Sequence, residues 1–272
     1  MSDIVLSAGV RSNLLQLQQT SDLITQTQTR LATGKRVNSA LDNAINFFTA
    51  QGLDNRANDL SALLDSMSNA INTIQAANNG ITAITKLVQS AQSLVSQANQ
   101  TADTTTRATL AGQFDDLMTQ IGELAADSGF NGVNLLKNDT LTVNFNEDAS
   151  SSTTITGVDY SNAQTGLGIN GAANNWAGSA DIAAAGTALS AALTTLRGES
   201  QSLSANLSTV QIRQDFTKAT INTLQTGSAS LTLADSNEEG ANLLALQTRQ
   251  QLSTTALSLA SQADQNVLRL FQ

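Results

Sequence analysis

The sequence predicts a mainly α protein: a long antiparallel helical coiled-coil bundle formed by its N- and C-terminal halves, with a small β-containing insertion between them. Apolar residues recur at steps of three and four near both ends and through two long inner segments, which marks one face of an α-helix. The 272 residues include no Pro, a residue that costs about 3 kcal/mol inside a helix. Only the middle of the chain departs from this pattern.

The first helix is predicted from Ile4 to Thr33, and Gly34 follows it as a residue that tolerates the left-handed conformation found after helices. The last helix is predicted to begin at a capping box formed by Ser236 and Glu239. Each of these terminal helices carries a thin apolar stripe that needs a partner, either the other terminus or a neighbouring copy. The predicted self-assembly interface comprises Val10, Leu14, Leu17, Ile24, Leu31, Leu252, Ala256, Leu259, Ala263, Leu270 and Phe271.

The second helix is predicted to begin near Ser39 and Asp42, which resemble a capping box. Its apolar seam is typical of a coiled coil, with Asn78 and Thr85 as polar positions that can fix the register; Gly80 is interpreted as a local weak point. The seam residues are Ala57, Leu60, Leu64, Met67, Ile71, Ile74, Asn78, Ile81, Thr85 and Val88.

A shorter helix is predicted to fold back on the second one as an antiparallel partner and to end before Gly129. It carries Leu110, Phe114, Leu117, Ile121 and Leu124 at helical spacing. A further long helix is predicted from Asp181 to a break near Ala234, with its stripe running from Ile182 to Leu231. The outline is therefore a terminal helix and a long helix on either side of the middle segment, which would place the two ends side by side.

Residues 138–180 are rich in Asn, Gly, Ser and Thr and contain no Lys or Arg. Alternation over Thr140–Phe145 predicts a strand, and Thr153–Val158 is a candidate second strand. Trp176 and Tyr160, the single Trp and Tyr of the chain, lie here. They are interpreted as anchors of a small core, with a ligand-stacking site as the alternative.

Composition bears on several classes of function. The sequence contains no Cys or His, so it offers no thiol nucleophile, imidazole base or Cys/His zinc site, and we predict no catalytic residues, metal or cofactor. The net charge of −9 without a basic cluster makes nucleic acid and anionic membranes poor partners. No apolar run reaches the roughly 18 residues of a membrane span. We also expect no cleaved signal peptide, because the first residues lead directly into a polar helix.

Three ordered motifs resemble bacterial flagellin, the filament subunit of the flagellum. Residues Leu31–Ala44 read LATGKRVNSALDNA and are similar to the flagellin motif L-S-T-G-K-R-I-N-S-A-x-D-D-A. Phe130–Leu136 reads FNGVNLL and is similar to the F-N-G-x-x-L-L element that precedes the variable insertion. The third motif is the C-terminal end, where Ala241–Leu252, Ala256–Ala260 and Val267–Phe271 look like the family's closing sequence.

The resemblance implies a division of the chain into functional segments. Residues 1–38 and 236–272 would form the inner tube of the filament, residues 39–137 and 181–235 a helical shell, and residues 138–180 a surface insertion. It also implies a secreted, extracellular protein of the flagellar filament. The partners would be other copies of itself, the flagellar type III export apparatus, an export chaperone, the filament cap and the hook-junction proteins. A hook–filament junction protein, which has flagellin-like ends, is the alternative function.

The chain departs from the flagellin pattern in three places. Asp42-Asn43 stands where flagellins usually have Asp-Asp, and Ile45-Asn46-Phe47-Phe48 is bulkier than the usual small A-G-L-A-I. Many flagellins carry a charged Arg-x-Arg-Glu group in the region bound by a vertebrate innate receptor, whereas residues 89–92 here read Gln-Ser-Ala-Gln. We therefore predict weak or no recognition by that receptor.

Overall fold

The computed structural model describes residues 8–270, apart from the side chains at positions 264 and 267–270. Within this range the chain is mainly helical with one two-stranded sheet, so the predicted fold class is confirmed. The elements in chain order are α1 (Ala8–Thr33), α2 (Ala44–Gln100), α3 (Thr104–Asp127), β1 (Thr140–Asn144), β2 (Ser152–Thr156), α4 (Ala163–Leu167), a 3-10 turn (Ala173–Trp176), α5 (Ser179–Thr232) and α6 (Ser236–Leu270).

The chain divides into two compact units. The terminal unit combines the residues up to Asn55 with those from Thr223 onward, and the central unit is Arg56–Asn222. The central unit has one continuous apolar core, to which α2, α3, α5 and the segment between α3 and α5 all contribute. Predicted seam residues such as Met67, Ile74 and Val88 are fully buried in it.

Polar positions in the central unit define the register of the long helices. The Ser200 hydroxyl of α5 donates to the Asn78 side-chain oxygen of α2 over 2.8 Å, and the Gln214 amide of α5 donates to the Ser68 hydroxyl over 2.9 Å. These bonds require an antiparallel arrangement at one alignment, because sliding either helix would separate both pairs. Thr85 instead donates to the Ile81 carbonyl of its own helix, so of the two predicted polar seam residues only Asn78 joins two helices.

A tight turn reverses the chain between α2 and α3. Asp103 caps α3 by accepting a hydrogen bond from the Thr106 backbone N–H over 2.9 Å. The pKa of the Asp103 carboxyl is lowered chiefly by a second hydrogen bond, from the Thr106 hydroxyl, and then by the bond from the backbone. The Arg107 Nε donates to the carbonyls of Ala98 and Thr101 at the end of α2. A three-residue connection with both helix ends capped makes α3 the antiparallel partner that the sequence predicted.

The insertion forms a β-hairpin, as predicted, but its side chains join the helical core. Val143 and Ile155 are buried in the same cluster as the helices, and Trp176 lies fully buried with its ring centroid 5.0 Å from that of Phe114 on α3. Tyr160 is buried there too. The expectation of a separate small core is therefore corrected: five-residue strands cannot bury enough apolar surface alone, and α3 supplies the rest.

Two loops meet in the terminal unit, where α1 passes to α2 and α5 passes to α6. The Thr232 carbonyl accepts from the backbone N–H groups of Arg36 and Val37 over 2.7 and 3.2 Å, and the Ala234 N–H donates to the Gly34 carbonyl over 3.0 Å. These bonds hold the end of α1 beside the start of α6, so the two terminal helices lie side by side.

Candidate self-assembly surface

The terminal helices α1 and α6 pack against each other as an antiparallel pair. Near one end of the pair, the Arg30 Nη1 donates to the Glu239 carboxylate over 3.2 Å, and Glu239 is buried. This contact overturns the predicted capping box at Ser236, because it engages the Glu239 side chain elsewhere. Asp235 caps α6 instead, with its carboxylate accepting from the Asn237 N–H over 2.8 Å.

The residues of the predicted α1 stripe share one side of the helix but differ in burial. Val10 and Ile24 are buried and Leu17 is half-buried, whereas Leu14 and Leu31 are exposed. The buried face is completed by Thr20 and Thr27, so the face that α1 turns inward is partly polar. Two exposed leucines that the sequence reasoning missed, Leu15 and Leu23, add to the apolar surface on the outside of α1.

Because α6 packs against α1, its half-buried residues mark the face that it turns towards α1, and the sequence reasoning did not select them. These half-buried residues, the inner stripe, are spaced alternately by three and four positions. They are Leu243, Leu246, Gln250, Ser253, Leu257 and Ala260. Their heptad spacing could have been found in the sequence, but the two polar members at its centre obscured it.

The predicted stripe of α6 lies on the side of the helix away from this contact. Leu252 and Leu259 are 67% and 61% exposed, and Ala256 and Ala263 are exposed as well. We call these four residues the outer stripe. The Leu270 side chain and Phe271 lie outside the described residues, as does the predicted start of α1 at Ile4. Within one chain, the outer stripe is therefore not what pairs α6 with α1.

The motif at Leu31–Ala44 builds the connection between α1 and α2. Gly34 takes a φ of +67° directly after α1, as predicted. The Asp42 carboxylate accepts hydrogen bonds from the backbone N–H groups of Asn38 and Ser39, each over 3.0 Å. These bonds lower the pKa of the Asp42 carboxyl, and the bond from Asn38 has the larger effect. The predicted helix start at Ser39 is wrong, because Asn43 caps α2 by accepting from the Asn46 N–H. Asn caps as well as Asp, so this departure preserves the cap.

The motif at Phe130–Leu136 anchors the segment that follows α3. Phe130 and Val133 pair across a tight turn in which Asn131 and Gly132 both have positive φ. The buried Asn134 side chain donates to the Ala125 and Ala126 carbonyls at the end of α3. Leu135 and Leu136 are fully buried, so each element of the motif has a structural role.

The comparisons with known proteins agree with these motifs. The profile of the bacterial flagellin N-terminal helical region matches residues 8–140, and that of the C-terminal helical region matches residues 182–271. Flagellin FljM of Caulobacter vibrioides is 30% identical over 100% of this chain and 99% of its own length. A Brucella melitensis flagellin is 28% identical over the full length of both. A crystal structure of Bacillus cereus flagellin is 16% identical and covers 56% of this chain and 88% of its own, with a TM-score of 0.49.

Paired terminal helices that leave large apolar side chains exposed are typical of proteins that assemble with copies of themselves. The profiles and relatives show that the chain belongs to the bacterial flagellin family. It is accordingly a structural subunit of the extracellular flagellar filament, and both matching profiles describe flagellin rather than the junction protein. Between residues 8 and 270, no described helix is apolar enough over a sufficient length to cross a membrane. No group of His, Cys, Asp or Glu suited to a metal ion is found among the same described residues.

Proposed function

We propose that the chain polymerises through the apolar side chains that the α1–α6 pair leaves exposed. The observation that carries this proposal is that α6 has two stripes: the partly polar inner stripe is half-buried, and the apolar outer stripe is exposed. Leu14 and Leu31 add exposed apolar surface on α1. In this proposal, the outer stripe of one copy packs on the terminal helices of its neighbours.

The energetics favour assembly over an isolated pair. Burying a whole leucine side chain contributes about 1.5–3 kcal/mol, so covering the exposed two thirds of Leu252 and Leu259 would add about 1–2 kcal/mol each. The α1–α6 contact has polar residues at Thr20, Thr27 and Gln250. Such a contact does not offset roughly 1–2 kcal/mol of backbone entropy per ordered residue. We therefore propose that α1 and α6 are unfolded in the free subunit and become helical on assembly.

The location of each segment in the filament follows from this proposal. Residues 1–38 and 236–272 would form the inner tube, residues 39–137 and 181–235 the helical shell, and residues 138–180 the outer surface. We further propose that the chain is exported through the flagellar apparatus with a chaperone and is added beneath the filament cap. Termini that are unfolded before assembly, as proposed above, would suit this route, because a partly unfolded subunit needs less work to thread. We propose no catalytic activity, in keeping with a family of structural proteins.

The test uses polymerisation of the full chain with matched variants. Leu252→Asp and Leu259→Asp place a charge on the outer stripe, whereas Gln251→Asp and Ser258→Asp place the same charge at exposed neighbouring positions rotated by about 100° around α6. We expect the first pair to raise the critical concentration for filament formation by at least about tenfold. The second pair should change it little. Equal effects of both pairs would refute the proposed role of the outer stripe.

Truncation gives an independent measurement. Removing the residues after Leu252 should abolish polymerisation, while fluorescence of Trp176 in the central unit should keep its native signal.

Electron microscopy of the full chain should show long filaments; persistent monomers or short rings would instead favour the junction protein. Hydrogen exchange should find the α1 and α6 amides unprotected in the monomer and protected in the filament. Protection of these amides in the monomer would contradict the coupling of folding to assembly.

A further inference from the structure

Two exposed apolar patches lie outside the α1–α6 pair. Patch A consists of Leu41, in the connection after α1, with Ile45 and Phe48 at the start of α2; their exposed fractions are 98%, 79% and 61%. Patch B consists of Ile212 and Phe216 on α5, with exposed fractions of 66% and 63%. Patch A belongs to the terminal unit and patch B to the central unit. Large apolar side chains this exposed and this closely grouped mark an interaction surface.

Patch A is held in a defined conformation. Ile45 and Phe48 are three residues apart and so share one face of α2. The Phe48 ring meets the half-buried Phe47 ring edge-on, with centroids 5.5 Å apart and an interplanar angle of 79°. The turn that carries Leu41 is closed by the bond from the Asp42 N–H to the Ser39 carbonyl. Ile45 and Phe48 stand where the flagellin pattern has small Ala residues, so these two members of patch A distinguish this chain from the family pattern.

Patch B has the layout of a docking surface with an apolar centre and a polar rim. Ile212 and Phe216 lie four residues apart on the outer side of α5, whereas the neighbouring Val210 and Thr217 are buried. Asp215 and Lys218 form an exposed ion pair of 3.4 Å beside them. Charged rims around an apolar centre are usual in interfaces between separate molecules.

We infer that patch A of one subunit packs on patch B of a neighbouring copy, an inference that rests on the proposed polymerisation. A contact of patch A with another patch A would be two-fold and would close into a dimer, whereas an open helical polymer needs two different surfaces that fit each other. Among the described residues, patch B is the other exposed group of large apolar side chains on a helix once α1 and α6 are assigned to the inner tube.

Cross-linking tests this contact directly, because the sequence contains no Cys. Phe48→Cys and Phe216→Cys subunits are mixed and added to wild-type filament seeds, so that filaments still grow if the contact is weakened. The filaments are then treated with a short bismaleimide. We expect cross-linked dimers in the mixed filaments and none in filaments that carry either variant alone. Replacing Phe48→Cys with Ser96→Cys, at an exposed position elsewhere on α2, should remove the dimer. Mixed filaments without cross-linked dimers would overturn the inference.

A pair of substitutions that introduce opposite charges provides the second measurement. Phe48→Asp and Phe216→Lys should each raise the critical concentration by about tenfold or more, since each removes an aromatic side chain that the inferred contact would bury. The double variant should recover part of the loss through the new opposite charges. Thr49→Asp, an exposed neighbour of Phe48, is the matched control and should have little effect.

The outcomes separate this contact from the proposed function. If Phe48→Asp leaves the critical concentration unchanged while Leu252→Asp raises it, the patch contact is wrong and polymerisation through the terminal helices stands. If the unmodified chain forms no filaments, both proposals fail together.

Discussion

Gly80 offers a test of how closely the end of α3 approaches α2. A Cβ built at this buried residue would lie 2.2 Å from the Ser128 hydroxyl oxygen, 2.7 Å from the Ser128 Cβ and 2.8 Å from the Leu136 Cδ1. The Ser128 hydroxyl also donates to the Leu124 carbonyl over 2.6 Å, so rotating it away breaks a hydrogen bond. The sequence suggested a weak point of the helix here, yet α2 is continuous through Gly80, and the missing side chain makes room for a neighbouring segment.

The magnitude follows from two opposing effects. Replacing Gly with Ala inside a helix stabilises it by about 0.5–1 kcal/mol, whereas forcing a methyl group into a filled site costs about 1–3 kcal/mol. Gly80→Ala should therefore destabilise the central unit by about 1–2 kcal/mol. Gly112→Ala and Gly198→Ala are matched controls, because both glycines lie in helices of the same unit with nothing within 4 Å of the added carbon. They should stabilise it.

Urea unfolding followed by fluorescence measures this difference, because Trp176 is the single Trp and is buried in the central unit. With a denaturant slope of about 2 kcal/mol per molar urea, the Gly80→Ala midpoint should fall by about 0.5–1 M. The control midpoints should rise by about 0.3–0.5 M. A Gly80→Ala midpoint that rises together with those of the controls would refute the steric argument.

Three further predictions concern the central unit. Burial, followed by the nearby Glu199 carboxylate, raises the pKa of Tyr160 from 10.0 to about 12. Absorbance titration of this single Tyr should therefore show ionisation at a higher pH in the folded protein than in the unfolded one. The free energy of unfolding should fall as pH rises from about 10 towards 12, because the folded state retains the proton that the unfolded state loses. A normal titration near pH 10 in the folded protein would contradict this. Asn78→Ala removes the acceptor for Ser200 and should cost about 1 kcal/mol in the same urea assay, whereas Asn79→Ala, at an exposed neighbouring position, should have little effect. Purified monomer should activate the vertebrate flagellin receptor weakly in reporter cells, because the uncharged residues 89–92 replace the charged group; strong activation would rule this out.

Local chemistry is sufficient to predict many of the elements from the sequence. Gly34 ends α1 because its left-handed φ is inexpensive for a residue without a Cβ. The coiled-coil seam of α2 and the alternation at Leu141 and Val143 reflect periods of 3.6 and 2, and these depend only on backbone geometry. The exclusion of thiol and imidazole chemistry follows equally from composition.

Long-range contacts decided features that local patterns describe ambiguously. The capping box at Ser236 and Glu239 satisfies every sequence rule, yet the Glu239 carboxylate pairs with Arg30, which is 209 positions away. Asp235 caps the helix in its place. The insertion looks self-contained in sequence, but Val143 and Ile155 join the helical core, because two five-residue strands need a larger neighbour to cover their apolar face. Trp176, in the turn before α5, likewise packs on Phe114 of α3.

The terminal helices show the same division between sequence and tertiary structure. Helical periodicity by itself determined that an apolar stripe runs along each end of the chain, but it did not reveal the inner stripe of α6. It could not decide which face of α6 meets α1, because both the inner and outer stripes have suitable spacing. Only the tertiary structure placed the partly polar inner stripe against α1 and left Leu252 and Leu259 exposed. The physical reason is that a period relates residues within one helix, whereas the choice of face depends on the partner that the rest of the chain brings alongside.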